Sequence, residues 1–194
     1  MILTGNEILT QVKKHNISIE PFVHRQVNPN SYNLRIAPEL FVYENYCLDA
    51  KKPQRLIEVP FKNGATLEPN HVYLARTIEH TFTDKYVPML EGRSSLGRLG
   101  LFIHVTAGFG DLGFSGYWTL ELHCVQPVTI YPNMEICQIY FHTYEGEPSY
   151  YSQFAKYNHN TGVQASQIWR EFDIDGTYRP ERILEQDPKC CEDR

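Results

Sequence analysis

The sequence predicts a mainly β fold, a sandwich or barrel built from many short strands. Aromatic residues make up 13% of the chain, and these residues are favoured on half-buried strands. Short apolar or alternating segments recur along the sequence and are separated by turns that contain Pro, Gly or Asn. These segments do not alternate with long helical patterns, as the strands of a parallel α/β sheet would.

One helix is predicted at the start, because Thr4 and Glu7 have the spacing of a capping box and Ile8, Leu9 and Val12 form an apolar stripe. Short strands follow, bounded by turn residues such as those at 29–30, 63–64 and 69–70. They are predicted at residues 17–20, 40–43, 72–75, 102–105, 117–124, 128–131 and 135–141.

The end of the chain differs in composition. Residues 171–194 contain eight acidic and four basic residues and carry most of the net charge of -5. We therefore expect one β domain at residues 1–170 and a solvated acidic tail at 171–194. A short helix is predicted between them, at residues 164–172.

Composition excludes several classes of protein. A pI of about 5.9 argues against a broad basic surface for a nucleic-acid polymer, although a few Arg and Lys residues suffice for a small anion. No run of about 18 apolar residues predicts a membrane span, and the N-terminus has no basic, apolar signal pattern. Five cysteines without a CxxC motif indicate neither a disulfide framework nor a zinc knuckle, so a cytoplasmic location is expected.

Three neighbouring segments hold the candidate chemistry. Residues 91–100, EGRSSLGRLG, combine two guanidinium groups, two hydroxyls and three glycines, which suit phosphate binding or an ordinary exposed turn. This segment is not a P-loop, because Arg98 and Leu99 replace the required Lys and Ser or Thr. Residues 104–116 place Asp111 in a glycine-rich loop, where an Asp commonly holds a turn.

The third segment is the strand at residues 117–124. Alternation puts Trp118 and Leu120 on one face with Leu122 and Cys124, and puts Glu121 on the other face with Thr119 and His123. A carboxylate in the middle of a strand is either solvent-facing or, in a closed pocket, suited to proton transfer.

Together these segments resemble the dCTP deaminase family of the dUTPase-like β-fold superfamily. The similarity is ordered and ungapped over residues 91–122, and weaker similarity reaches back to residue 2 and forward to about residue 166. The segment PNSYNLR at residues 29–35 is similar to a family motif that usually has Asp where Asn33 stands. Lys156 and Tyr157, with Asn160 and Gly162, resemble a lid over the nucleotide.

The resemblance implies a distorted β-barrel or jelly roll with a short N-terminal helix, a lid at about residues 145–166 and a C-terminal tail. It implies hydrolytic, zinc-independent deamination of dCTP at cytosine C4, which supplies deoxyuridine nucleotide for dTMP synthesis. Glu121 would move the proton, Arg98 and Ser94 would orient the water, and the Ala107 carbonyl would accept a hydrogen bond.

The resemblance also implies a larger set of substrate contacts. Those expected to touch dCTP are Arg93, Ser94, Ser95, Leu96, Gly97, Arg98, Asp111, Thr119, Leu120, Glu121, Gln138, Tyr150, Lys156 and Asn160. Either Tyr150 or Tyr151 fits the tyrosine before the lid lysine, and Tyr150 is chosen here. Asn160 stands where the family usually has Gln, and Leu112 replaces a Pro, which should loosen its loop.

The residues Gly108, Phe109 and Gln138 resemble those at the same positions in family members that hydrolyse the dUTP further to dUMP and diphosphate. The resemblance further implies Mg²⁺ bound with the triphosphate and not by protein side chains, a homotrimer with sites at subunit interfaces, and dTTP as a feedback inhibitor. Four alternatives remain: a deaminase that stops at dUTP, a dUTPase, a catalytically silent nucleotide-binding regulator, and an unrelated β-barrel binding module.

Overall fold

The computed structural model describes residues 1–151 and 155–179, and its architecture is mainly β. The described elements, in chain order, are α1 (Gly5–Lys13), β1 (Ser18–Glu20), β2 (Tyr32–Tyr43), β3 (Leu56–Glu58), β4 (Ala65–Leu67), β5 (Tyr73–Phe82), β6 (Val87–Gly92), α2 (Ser94–Gly97), β7 (Leu101–Ile103), β8 (Ser115–Cys124), β9 (Val128–Ile130) and β10 (Glu135–His142). Short 3₁₀ helices lie at His24–Gln26 and Ile168–Glu171. The predicted fold class is confirmed.

Eight strands form one sheet that is nearly closed into a barrel. Its main path is β6-β10-β2-β5-β8-β7, while β1 pairs with β5 and β3 pairs with β2; the strands β4 and β9 form a separate antiparallel pair. Strand β2 links the two halves of the sheet, because residues 32–35 pair with β10 and residues 36–42 pair with β5. The register of β2 shifts between Ile36 and Leu40, where the strand passes from one half to the other.

The core lies inside this curved sheet. On β8 the side chains of Trp118, Leu120, Leu122 and Cys124 are buried, while those of Thr119 and Glu121 are only partly buried. This is the alternation that the sequence predicts, and it turns Glu121 away from the core. Helix α1 also begins as predicted at Thr4, whose hydroxyl accepts from the Glu7 amide at 3.3 Å, but the Glu7 carboxylate bonds Gln11 instead of closing the capping box.

Strand β5 is longer than its apolar start predicts. It continues through Thr77, Glu79 and Thr81, which are buried polar residues on the inner face. Each has a partner: Glu79 pairs with Arg35 at 2.7 Å, Thr81 accepts from the Trp118 indole at 2.8 Å, and the Thr77 hydroxyl donates to the Glu79 carbonyl at 2.8 Å. The interior of the barrel is therefore partly hydrogen-bonded.

The C-terminal segment departs from expectation in its first part. The predicted helix at 164–172 is only the 3₁₀ turn Ile168–Glu171, and residues beyond it fold back so that Phe172 bridges Tyr178. Glu171 is buried, although residues 171–194 were expected to form a solvated tail. Residues 172–179 are exposed or only partly buried, so the expectation is wrong for Glu171 alone. Residues 152–154 of the predicted lid and residues 180–194 of the predicted tail lie outside the described residues.

In the part of the chain that the structure describes, no helix is long and apolar enough to cross a membrane.

Candidate active site

A cavity of about 890 Å³ lies over the face of β8 that carries Thr119 and Glu121. Its walls come mainly from strand β8, the loop that follows β7 and the described residues of segment 151–166, and they are completed by Tyr43, Val72, Leu74 and Phe102. A cavity of this volume is large enough for a nucleotide-sized ligand. The structure therefore brings Ala107, Asp111 and Asn160 to the same space as Glu121.

Glu121 is fixed at both its backbone and its side chain. Its carbonyl accepts from the His104 amide at 2.9 Å, and its backbone pairs with Leu74 of β5. The Thr106 hydroxyl donates to Glu121 Oε2 at 3.3 Å. A carboxylate held in this way faces the cavity and can accept a proton from a group bound there.

His104 is a cavity residue to which the sequence reasoning gave no role. It has a φ of 55°, in the left-handed region that is unusual for a residue other than glycine, and its ring is buried edge-on to Trp118 with 6.4 Å between centroids. Nδ1 has no hydrogen-bond partner among the described residues. Burial lowers the pKa of His104, although the Glu121 charge and a backbone hydrogen bond to Ala107 act in the opposite direction.

The loop after β7 is held firmly. Leu112 is buried, and its carbonyl accepts from the Tyr151 amide at 2.6 Å, while the Gly113 amide donates to the Thr83 carbonyl at 2.9 Å. These contacts anchor the loop on both sides of Leu112. Asp111 sits on this loop at the rim of the cavity, where partial burial raises the pKa of its carboxyl group.

Gly108 faces β6 and does not line the cavity, unlike its neighbours Ala107 and Phe109. Its carbonyl accepts from the Leu90 amide at 2.7 Å, and a Cβ at this position would lie 2.5 Å from the Leu90 carbonyl oxygen. The close approach of two backbones explains the glycine here. Phe109 is 68% exposed at the cavity rim.

Two asparagines attach the lid segment to β8. Asn158 Oδ1 accepts from the Ser115 amide at 2.9 Å, and Asn160 Oδ1 accepts from the Tyr117 amide at 2.8 Å. Gly116 lies between these amides, and a Cβ there would be 2.5 Å from Asn160 Oδ1. Asn160, expected to contact the nucleotide, thus lines the cavity while its oxygen bonds to the strand.

Later residues of the lid segment bond to β8 again and also to β2. The Gln164 amide donates to the Thr119 hydroxyl at 3.3 Å, and the Ser166 amide donates to the Tyr43 hydroxyl at 3.2 Å. Tyr43, like Gln164 and Ser166, lines the cavity, and no local pattern in the sequence distinguishes it from an ordinary strand tyrosine.

Two other predicted lid residues lie outside the cavity lining. Tyr150 is half exposed, and it is Tyr151 that lines the cavity beside Phe114, so the structure favours Tyr151 over the Tyr150 chosen from the sequence. The Lys156 ammonium forms an ion pair with Glu171. Its neighbour Tyr157 does line the cavity.

The remaining predicted residues form a second group on another part of the surface. Arg93 donates to the Glu135 carbonyl at 2.7 Å and lies 3.5 Å from its carboxylate, and Gln138 donates to the Gly92 carbonyl at 3.1 Å. The group is completed by α2 and its flank, where Ser94, Ser95, Gly97 and Arg98 are exposed and Leu96 is buried. None of these residues lines the cavity of the same chain, so one chain holds two separate parts of the predicted site.

Leu120 is also apart from the cavity, because its side chain is fully buried in the core between Thr119 and Glu121. Any contact from this position would come from its backbone. Among residues 1–151 and 155–179, no group of three or more His, Cys, Asp or Glu side chains is placed to hold a metal ion.

Comparison with known proteins places these features in a family. A family model described as dCTP deaminase-like matches residues 2–144. A protein of Hathewaya histolytica named "dCTP deaminase, dUMP-forming" is 61% identical over 175 residues, which cover 89% of this chain and 100% of that protein. A protein of Clostridium beijerinckii with the same name is 59% identical over 175 residues, covering 89% of this chain and 99% of that protein.

A solved structure shows the same fold. The crystal structure of 2'-deoxycytidine 5'-triphosphate deaminase from Agrobacterium tumefaciens superposes with a TM-score of 0.58 and 21% sequence identity. The match covers 73% of this chain and 48% of that chain.

Proposed function

Because this chain belongs to the dCTP deaminase-like family, we propose that it converts dCTP to dUMP, ammonia and diphosphate. The first step adds water at cytosine C4 and releases ammonia to give dUTP. The second step adds water at the α-phosphate and releases diphosphate. The proposal follows the names of relatives at 61% and 59% identity that this chain covers over their full or nearly full length.

The observation that carries the first step is the position of Glu121. Its carboxylate lies in the middle of a strand, faces the cavity and is held by Thr106. In the proposed reaction it takes one proton from water as the oxygen attacks C4 and gives that proton to the ring nitrogen. It then takes the second proton from the new C4 hydroxyl and passes it to the amine, which leaves as ammonia while the C4 carbonyl forms. One carboxylate acts as base and then as acid, which needs no zinc-bound hydroxide.

The second step is assigned to Asp111. It lies on the rim of the same cavity, and partial burial raises the pKa of its carboxyl group above the ordinary value, as is common for carboxylates that transfer protons. Phe109 is adjacent on the cavity rim and Gly108 holds the loop against β6. These residues are proposed to place the α-phosphate within reach of a water molecule activated by Asp111.

We further propose that the site is shared between subunits of a homotrimer. Ser94 on α2 and Arg98 just after it would orient the water beside Glu121. Both are exposed and lie outside the cavity of their own chain. Docking α2 and Arg93 of one subunit against the cavity of another would bring the two groups together. A site that is incomplete in one chain supports this arrangement.

The second group is suited to the triphosphate. Arg93, Ser94 and Ser95 supply a guanidinium and two hydroxyls, and Gln138 fixes the backbone at Gly92 just before them. Mg²⁺ is proposed to bind the phosphates and water, since the described residues offer no cluster of ligands for it. The ion would offset phosphate charge and leave deamination to Glu121.

Three further points belong to the proposal. The dUMP formed by the enzyme would feed dTMP synthesis, and dTTP would bind in the active site as an inhibitor. A cytoplasmic location agrees with the free thiols of Cys47, Cys124 and Cys137.

The test is a product analysis of purified protein incubated with dCTP and Mg²⁺. We expect ammonia, diphosphate and dUMP in equal amounts, with activity retained after treatment with a zinc chelator and readdition of Mg²⁺. Accumulation of dUTP with ammonia would identify a deaminase that stops there. Hydrolysis of dUTP without ammonia from dCTP would identify a dUTPase, and binding without products would identify a silent regulator.

A further inference from the structure

The lysine of the predicted lid already forms an ion pair with a carboxylate of the same chain. Lys156 forms an ion pair with Glu171, and their side chains are only 17% and 8% exposed. Lys156 does not line the cavity, although Tyr157 and Asn160 on the same segment do. The ammonium expected to meet the nucleotide phosphates therefore points elsewhere in this structure.

Glu171 is held in place by the fold of the C-terminal segment. It ends the 3₁₀ turn Ile168–Glu171, its carbonyl accepts from the Arg179 amide at 2.7 Å, and Phe172 bridges Tyr178 just beyond it. Hydrogen bonds from Lys156 and from the Tyr178 hydroxyl lower the pKa of the Glu171 carboxyl group. At neutral pH it is an anion fixed beside the lid lysine.

A carboxylate and a phosphate make the same kind of bond with an ammonium group. Lysine has three N–H donors but one positive charge, so a second anion meets an ammonium that Glu171 has already neutralised. If Lys156 leaves Glu171 to reach the nucleotide, the ion pair is lost. If it stays and shares its donors, the attraction for phosphate is weakened. Both routes reduce the affinity for nucleotide.

We infer that Glu171 competes with the nucleotide triphosphate for Lys156 and thereby sets the affinity of the enzyme for dCTP. This inference rests on the proposed function, because it takes dCTP as the ligand and Lys156 as a phosphate contact. It assigns a role in substrate binding to a residue in the segment that the sequence predicted to be a solvated tail.

The experiment measures dissociation constants for dCTP by calorimetry in a Glu121→Gln background, where turnover does not consume the ligand. Glu171→Gln is expected to tighten binding about three- to tenfold, the range of a partly buried ion pair. Glu171→Asp keeps the charge but withdraws it by one methylene, so a smaller gain is expected. Asp175→Asn is the matched control, because it removes one charge from the exposed turn nearby and keeps an acceptor for the Thr177 amide.

A double-mutant cycle with Lys156→Ala tests whether the effect passes through the lysine. Lys156→Ala alone should weaken binding, and adding Glu171→Gln should then change nothing. Unchanged or weaker binding by folded Glu171→Gln, or an equal gain without Lys156, would overturn the inference; circular dichroism and thermal melting establish folding. Absence of ammonia from wild-type protein and dCTP would overturn the proposed function instead, since the binding measurements do not depend on turnover.

Discussion

The side-chain amide of Asn33 donates a 2.7 Å hydrogen bond to Glu135 Oε2, across the pairing of β2 with β10. Asn33 is buried, and its own oxygen accepts from Asn28 at 2.7 Å. An Asp at position 33 would lose the donor and set two carboxylates against each other. The neighbouring Glu135 therefore favours Asn over Asp at position 33 of this chain.

We predict that Asn33→Asp lowers the free energy of unfolding by about 1–3 kcal/mol at pH 7, the cost of a buried group left unpaired. Burial and the Glu135 charge raise the pKa of the new carboxyl group in the folded state. The loss of stability is therefore complete at pH values above this raised pKa and disappears below the pKa of the unfolded chain. Denaturant unfolding at pH 7 and at lower pH measures this. The control is Asn63→Asp, an exposed turn position where little change is expected. Equal stability of Asn33→Asp and wild type at pH 7 would contradict the explanation.

Glu121→Gln should abolish deamination while leaving dCTP binding within a fewfold of wild type. The amide preserves shape and can still bond Thr106, but it cannot carry the proton, a loss of about 10²–10⁴-fold for acid–base catalysis. Ammonia release gives the rate and calorimetry gives the affinity. A variant that keeps more than about a tenth of the wild-type rate would show that Glu121 is not the base.

Arg98→Ala should be inactive by itself and recover activity when mixed with Glu121→Gln. In a trimer whose sites take Arg98 from one subunit and Glu121 from another, random mixing of the two variants leaves about a quarter of the sites intact. Refolding or co-expressing the pair and measuring ammonia release tests this. Sites contained within one chain would give no recovery at any mixing ratio.

Asp111→Asn should raise the stability of the protein at neutral pH while stopping the reaction at dUTP. The folded-state pKa of Asp111 lies above its unfolded value, so the ionised group costs stability. The gain in stability from Asp111→Asn is therefore complete at pH values above the folded-state pKa, and it is absent below the pKa of the unfolded chain. Thermal melting across this pH range reports the first effect, and the ratio of diphosphate to ammonia reports the second. Diphosphate released in step with ammonia would remove Asp111 from the second step.

Gly108→Ala should lower the melting temperature and reduce both steps together. The added methyl group would meet the Leu90 carbonyl, so the loop must move away from β6 and carry Ala107 and Phe109 with it. Melting curves and product ratios are the measurements. Selective loss of diphosphate with full stability would indicate that Gly108 serves the second step directly.

Strand β8 was predictable because its sequence alternates and its polar face carries Glu121. Strand β5 was predicted only in part, because Thr77, Glu79 and Thr81 are polar residues that in sequence resemble a solvent-facing pattern. Their burial depends on hydrogen bonds made in the folded sheet. The strands β3, β4 and β6 were missed for a different reason. Each is short and has no clear apolar alternation.

For the site, local motifs supply candidate residues but not the distances between them. Ser94 and Arg98 lie in the same matching region of sequence as Glu121. In the fold, however, only Glu121 lines the cavity, and Ser94 and Arg98 lie outside it. The pairing of Lys156 with Glu171 depends on how the C-terminal segment turns back, which no spacing in the sequence indicates. His104 was visible only as part of a motif, because its backbone conformation and its Nδ1 are properties of the folded loop.

The attachment of residues 158–160 to β8 also bears on solubility. Strand β7 pairs only with residues 122–124 of β8, so the edge of residues 115–117 would otherwise present open donors and acceptors to a strand of another molecule. The Asn158 and Asn160 side chains occupy two of its amides, and the His159 amide occupies the Ser115 carbonyl at 2.7 Å. The segment that lines the cavity therefore also protects this strand edge against edge-to-edge aggregation. A chain that lost this attachment would expose an edge on which another strand could pair.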